Sequence, residues 1–188
     1  SVQIVPRPLP QRFPVLMWGV YGGVLNEIER LKRIGFTHVL GVSADSSKIW
    51  EAGQPTEAGT PEKIAETRAA LEAALANDLT LAASLSPGAF ARGKEEFRRV
   101  DREGKATAKE DVCGLFPEVQ KFCYNVGASI AKTYGDHPAL GAAMIHTEVR
   151  GHARPCFHPH DIEAFKKHAG IDIPAEVSTQ RGVDYTKL

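Results

Sequence analysis

The chain has 188 residues, 43% of them apolar, so it can bury the core of one large domain or of two small ones. Its 23 basic residues balance its 23 acidic residues, which gives no reason to expect a nucleic acid or an anionic membrane as a partner. No apolar run approaches the roughly 18 residues that span a bilayer, and three cysteines without a C-x-x-C pair argue against a disulfide scaffold. A small neutral substrate remains compatible with this composition.

The first half of the chain alternates short apolar runs with amphipathic helical patterns. Residues 15–19 predict a strand, followed by a helix over 26–34 that ends at Gly35. Residues 37–43 predict a second strand, and the next helix is expected to begin at the Thr60-Pro61 pair, a capping residue followed by proline. The apolar residues of these helices that we expect to face the core are Leu25, Ile28, Leu31, Ile34, Ile64, Leu71 and Leu75.

The second half repeats this alternation twice. Residues 79–86 predict a third strand, a charged segment over 92–111 follows, and a helix is expected over 117–134. A fourth apolar run over 139–148 precedes a last helix over 161–169. The side chains expected to face inward from these two helices are Val119, Phe122, Cys123, Val126, Ile130, Ile162, Phe165 and Ala169.

Strict alternation of four strand-helix units, with strands apolar on both faces, predicts an α/β fold with a parallel sheet covered by helices. Two architectures fit this pattern, an open doubly wound sheet and a closed (β/α)8 barrel. Because a whole TIM barrel takes roughly 250 residues, four units would be strands 1 to 4 of one. We therefore expect residues 1–188 to form a single (β/α)4 half-barrel that belongs to a longer catalytic domain.

Polar residues follow the predicted strands at their carboxyl ends. Ligands bind at this edge in both architectures, because the loops can vary there while the sheet holds them rigidly. A change from apolar to polar residues is not expected in a core, whereas it is expected at a face that binds a ligand. The residues that we expect to face a substrate are Trp18, Asp45, Ser86, His146, Glu148 and Arg150.

Glu148 is the candidate catalytic residue. A glutamate at a strand end and flanked by apolar residues is partly desolvated, which favours its protonated form and lets it donate a proton near neutral pH. An exposed loop carboxylate fits the same position, and His146 fits a structural role as well as substrate binding. Trp18, Tyr21 and Trp50 follow the first two strands and could stack on sugar rings, although Trp18 also fits a core position.

Six short segments follow one another in a characteristic order. They are Val100-Asp-Arg-Glu-Gly104, Val112-Cys-Gly-Leu-Phe-Pro-Glu-Val119, Tyr134-Gly-Asp-His-Pro-Ala-Leu140, His146-Thr-Glu148, Cys156 and Asp161-Ile-Glu-Ala-Phe165. In this order they resemble the landmarks of the beta-galactosidase-like branch of clan A glycoside hydrolases, from about Phe13 to Val177.

This resemblance implies a retaining glycosidase on a (β/α)8 barrel, with a general acid/base glutamate after strand four and a nucleophilic glutamate after strand seven. By the resemblance Glu148 is the acid/base, the nucleophile lies outside this chain, the substrate is a carbohydrate, and no organic cofactor is implied. The chain departs from the family at Thr147, where the family has an asparagine that binds the sugar 2-hydroxyl. Recognition of the sugar must therefore differ or be lost.

Strands five to eight of such a barrel are not in this sequence. We favour an excerpt of a longer enzyme as the reason. A barrel closed by the missing half or by a second copy also fits, because an open half-barrel leaves sheet edges unpaired. A complete open α/β domain is the third arrangement.

A metal site is one alternative interpretation. Four possible zinc ligands lie within nine residues, namely His152, Cys156, His158 and His160. Their spacing matches no standard zinc pattern, so we expect solvated loop histidines and no metal. We expect Cys113 and Cys123 to be packing residues.

Two further interpretations remain. A non-catalytic carbohydrate-binding or scaffold module would keep Trp18, Asp45, Ser86 and Arg150 as a sugar cleft. A nucleotide-binding open α/β domain would use the segment Gly19-Val-Tyr-Gly-Gly23 with Asp45 at the second strand end. We favour the nucleotide-binding interpretation less, because the G-x-G-x-x-G pattern is absent.

Overall fold

A computed structural model describes residues 13–19, 22–85, 88–91, 93–106, 112–145, 155–178 and 182–183. The helices are α1 Val24–Ile34, α2 Ser46–Ala52, α3 Pro61–Ala76, α4 Gly88–Ala91, α5 Pro117–Tyr134 and α6 Pro159–Ala169, with a 3-10 turn at Glu95–Phe97. The strands are β1 Leu16–Met17, β2 His38–Val42, β3 Thr80–Leu85, β4 Leu140–Ile145, β5 Val177–Ser178 and β6 Gly182–Val183.

Four strands form an all-parallel sheet in the order β1-β2-β3-β4. His38 of β2 is paired with Leu16 of β1 on one side and with Thr80 of β3 on the other. The predicted α/β class with parallel strands is confirmed. A doubly wound sheet reverses its strand order at a switch point, and the described parallel strands show no such reversal.

The chain divides into two compact units. The first contains the described parts of Ser1–Ser43, Gly59–Ser84 and Thr133–Met144, and therefore most of the parallel sheet with α1 and α3. The second contains the described parts of Ala44–Ala58, Leu85–Lys132 and Ile145–Leu188, with α2, α4, α6, most of α5 and the antiparallel pair β5-β6.

Helix α1 begins two residues before its predicted start and ends as predicted at Gly35. The φ of Gly35 is 101°, and its N–H donates to the Leu31 carbonyl, which closes the helix. The inward face differs from the prediction, because Val24 is buried whereas Leu25 and Ile34 are 47% and 59% exposed. Because the helix starts at Val24, it is the Val24 side chain that packs against Gly41 of the sheet.

Helix α3 begins as predicted. Thr60 is the N-cap, its Oγ1 accepts a hydrogen bond from Lys63 N at 3.3 Å, and Pro61 is the first helical residue. Leu71 is fully buried, whereas Leu75 is 46% exposed. In the first unit α3 packs against both α1 and β2, so these two helices cover the same face of the sheet.

Helix α5 has 18 residues, and its predicted bounds are confirmed. Four of its five predicted core residues are buried; Cys123 is exposed, so the prediction of a packing role for this thiol is wrong. Helical spacing puts Cys123 next to Phe122, at the margin of the buried face rather than on it. Among the described helices, none combines the length and the apolar character that crossing a membrane requires.

An aromatic cluster forms part of the core of the second unit. The ring of Trp50, on the unpredicted helix α2, lies 5.9, 5.6 and 5.1 Å from the rings of Phe90, Phe97 and Phe122. Contacts of this kind stabilise aromatic pairs beyond the area that they bury. This packing explains the tryptophan at position 50, so no stacking on a sugar ring is needed to explain it.

Two predictions about burial are wrong. Residues of β4 alternate between half-buried and exposed, so this strand is not buried on both faces, and Ile145 at its end is 66% exposed. In α6 no residue is buried, and Ile162 and Phe165 are 39% and 37% exposed. Phe157 is buried instead, so the apolar contact of this segment precedes the helix.

Gly41 brings β2 close to α1. A Cβ on Gly41 would lie 2.8 Å from Val24 Cγ2, whereas a Cβ on Gly127, inside α5, would meet nothing within 4 Å. We expect Gly41→Ala to lower the free energy of unfolding by about 1–3 kcal/mol, because the added methyl overpacks this contact. Gly127→Ala should raise it by about 0.5–1 kcal/mol, because glycine is a poor helix former.

Urea unfolding followed by circular dichroism measures both changes. A Gly41→Ala variant as stable as the wild type would contradict the close packing of α1 on β2.

Candidate functional site

Two of the six predicted site residues, Trp18 and Asp45, lie within the described part of the chain. Ser86, His146, Glu148 and Arg150 lie outside the described residues. Their roles therefore stay predictions.

Trp18 follows β1 and is 57% exposed. It lines an open cavity of about 470 Å³ at the amino-terminal end of α1, together with Gly19 and with Lys63 and Glu66 of α3. Lys63 Nζ lies 2.9 Å from Glu66 Oε2, so the two charges on the α3 side are paired. The cavity combines an aromatic surface with polar groups, the composition that suits a small polar ligand.

Asp45 begins helix α2. Its Oδ1 accepts a hydrogen bond from Lys48 N at 3.0 Å, and its own N–H donates to the Ala58 carbonyl at 2.7 Å. This capping role accounts for the carboxylate without a bound substrate. The nucleotide-binding interpretation also loses support, because it needs a strand-order reversal that the described parallel strands do not show.

Among the described residues, a group of reactive side chains lies in the second unit, where Cys113 meets the first turn of α6. Cys113 Sγ lies 3.1 Å from Asp161 Oδ2 and 3.4 Å from His160 Nε2. The same Asp161 oxygen lies 3.2 Å from His160 Nε2 and 3.6 Å from His158 Nδ1. One ligand atom from each of these four residues lies within 4.8 Å of all the others.

Backbone contacts hold both sides of this Cys-His-Asp cluster. The Cys113 N–H donates to the Phe97 carbonyl at 2.8 Å, which fixes the thiol just before α5. The Phe157 N–H donates to the Val100 carbonyl at 3.1 Å, just before α6 begins. His158 is the N-cap of α6, so His160 and Asp161 follow in its first turn.

Aromatic packing holds the two imidazoles. The rings of His158 and His160 are stacked with centroids 5.1 Å apart, and Phe116 lies edge-on to both at 4.9 and 4.7 Å. Cys156 Sγ lies 2.9 Å from His158 Nδ1. The side chains of His158 and His160 are 17% and 36% exposed, so for these two residues the expectation of solvated loop histidines is wrong.

Burial shapes the protonation of this cluster. It raises the pKa of the Cys113 thiol to about 12, and the neighbouring Asp161 carboxylate adds to the shift. Burial likewise raises the pKa of Cys156. Burial, and then the neighbouring His160, lower the pKa of His158, against the opposing pull of Asp161. Near neutral pH the metal-free cluster therefore holds neutral thiols and a neutral His158.

Sequence reasoning found only part of this cluster. His158 and His160 belong to it, Cys156 contacts it, and His152 lies outside the described residues. Cys113 is buried as expected, but its thiol faces polar groups. Asp161 was missed as a ligand, although a carboxylate one residue after His160 is a visible signal, and Cys113 was missed because it is distant in sequence.

Comparisons with protein-family models, with characterised proteins and with solved structures give no match for this chain. The resemblance to clan A glycoside hydrolases therefore stays a prediction from the sequence segments.

Because the Cys113 thiol is buried, we expect the free energy of unfolding to fall at high pH. Its pKa is raised from 9.0 to about 12 in the folded chain, so the unfolded chain ionises first. In the presence of a chelator, this contribution to stability is complete below pH 9.0 and falls by up to about 1.4 kcal/mol for each pH unit between 9.0 and about 12.

Urea unfolding over a pH series on both sides of 9.0 measures this loss. The Cys113→Ser variant, which cannot ionise there, should lose stability less steeply than the wild type. Equal slopes for the two proteins would contradict the predicted burial of the thiol.

Proposed function

We propose that this chain forms strands 1 to 4 of a (β/α)8 barrel that hydrolyses a glycosidic bond with retention of configuration. The observation that carries the proposal is the sequential order β1-β2-β3-β4 of four parallel strands, since consecutive parallel neighbours are what the first half of a barrel requires. Among the described strands β4 is the last one in the sheet, and the backbone edge of such a strand is where a further strand can pair.

The proposed general acid/base is Glu148. In the sequence it comes three residues after Ile145, the last residue of β4. Catalytic residues of barrel enzymes come from such strand ends. Glu148 would donate a proton to the leaving glycosidic oxygen, and its carboxylate would then take a proton from the attacking water.

A retaining mechanism also needs a nucleophilic carboxylate about 5–5.5 Å from the acid/base. In this proposal it belongs to strands five to eight, supplied by a continuing chain, a companion half-barrel or a second copy. Trp18 would stack on the sugar, and contacts of His146, Ser86 and Arg150 with its polar groups stay sequence predictions. Asp45 is not assigned to the substrate, because it caps α2. Exposure of Trp18 supports its part of the proposal.

Glu148→Gln in the natural gene product tests the proposed acid/base. We expect turnover of alkyl glycosides, which need protonation of the leaving group, to fall by about 10²–10⁴-fold. Cleavage of the first bond in activated aryl glycosides should fall much less, because their leaving groups depart without a proton. Steady-state and burst kinetics on the two substrate classes measure the difference.

The matched control is Glu118→Gln, a carboxylate in the first turn of α5 that should not affect turnover. A Glu148→Gln variant that keeps full turnover on alkyl glycosides would remove Glu148 from the mechanism.

The second candidate function is a non-catalytic carbohydrate-binding module. The exposed Trp18 beside a cavity of about 470 Å³ favours it. For such a module, Trp18→Ala should weaken sugar binding about tenfold, and Glu148→Gln should leave affinity unchanged. Titration calorimetry with a panel of oligosaccharides, together with an assay for released sugar, separates this function from hydrolysis.

A further inference from the structure

We infer that Cys113, His158, His160 and Asp161 bind a divalent transition metal ion, and that their chemistry selects zinc. The glycosidase proposal does not use these residues, and the four-residue set considered from the sequence shares only His158 and His160 with them. The inference stands on the convergence of the four side chains and is independent of the proposed function.

Four of the six distances among the ligand atoms lie near those of tetrahedral coordination. Zinc bonds of about 2.0–2.1 Å to nitrogen and oxygen and about 2.3 Å to sulfur, at tetrahedral angles, put neighbouring ligand atoms about 3.3–3.6 Å apart. Cys113 Sγ lies 3.1 and 3.4 Å from Asp161 Oδ2 and His160 Nε2. Asp161 Oδ2 lies 3.2 Å from His160 Nε2 and 3.6 Å from His158 Nδ1. The two remaining distances, from His158 to Cys113 and to His160, are within 4.8 Å, so a shift of the His158 side chain would complete the geometry.

The charges of the four residues also match a divalent cation. A Cys113 thiolate and an Asp161 carboxylate carry two negative charges, and two neutral imidazoles add none. A bound zinc ion would therefore make the centre neutral overall, which removes the cost of burying an unbalanced charge.

The types of ligand exclude the hard cations. Calcium and magnesium take oxygen ligands, whereas thiolate and imidazole suit zinc and its neighbours in the transition series. Four protein ligands fill a tetrahedral zinc, and sites filled in this way are structural. The ion would hold the first turn of α6 rather than bind a substrate.

Helix α6 needs such an anchor. It buries none of its residues, so apolar packing along its length does not hold it in place. Its contacts with Cys113 and Phe116 are all made by its first turn and its N-cap. A metal ion at this turn would tie α6 to the segment before α5, within the second unit.

The first experiment measures metal in the full chain purified without chelator, by inductively coupled plasma mass spectrometry. We expect about one zinc per chain. After removal of the metal, cobalt titration should give the visible bands of tetrahedral cobalt and a near-ultraviolet thiolate-to-cobalt band, both complete at one equivalent. A chain that holds no metal and gives no cobalt spectrum would overturn the inference.

Paired variants assign the ligands. Cys113→Ser should abolish the thiolate band, and His160→Gln should weaken zinc binding by more than about 100-fold, since even partners outside the coordination shell contribute about 10–100-fold. The controls are Cys123→Ser and His168→Gln, exposed residues of the same types on α5 and α6 that should bind zinc like the wild type.

Two outcomes would reject the assigned ligands. One is an unchanged cobalt spectrum in Cys113→Ser. The other is a loss in Cys156→Ser larger than that in Cys113→Ser, since Cys156 is assigned as a neighbour of His158 and not as a ligand. If a ligand variant fails to fold, the metal-free wild type provides the test. Adding zinc should raise its melting temperature. If the melting temperature does not rise and zinc does not bind stoichiometrically, the inference is overturned.

Discussion

Parallel pairing of consecutive strands is the constraint on which the first unit depends. Two parallel neighbours cannot be joined by a tight turn, so the chain must cross back over the sheet between them, and helices do this most economically. The pairing of β2 with both β1 and β3 fixes the register of the sheet. The absence of a side chain at Gly41 lets α1 pack closely on it, and Gly141 does the same where β4 approaches Thr80.

The second unit is organised by side chains rather than by a sheet. Aromatic rings around Trp50 supply apolar contacts, while polar groups of Cys113 and Asp161 meet at the start of α6. A buried thiol beside a carboxylate and two imidazoles is a costly arrangement in an apolar setting unless each group has a partner. A metal ion is a partner that serves all four groups at once.

The two proposals concern neighbouring parts of the chain. In sequence, the segment that carries His146 and Glu148 begins where β4 ends and leads to the buried Cys156 and Phe157. The four residues of the metal site lie before α5 or at the start of α6, and none of them belongs to the proposed catalytic set. Either proposal can therefore fail without the other.

The α/β class and the ends of the long helices could be predicted from the sequence, because these features depend on local signals. Thr60 and Pro61 start α3, and Gly35 ends α1, through contacts with residues a few positions away. The short helix α2 was missed because seven residues are too few for a clear apolar period. The exposure of α6 and the contact of Cys113 with Asp161 could not be predicted in this way. Those two residues are 48 positions apart, and periodicity along the chain carries no information about contacts at that range.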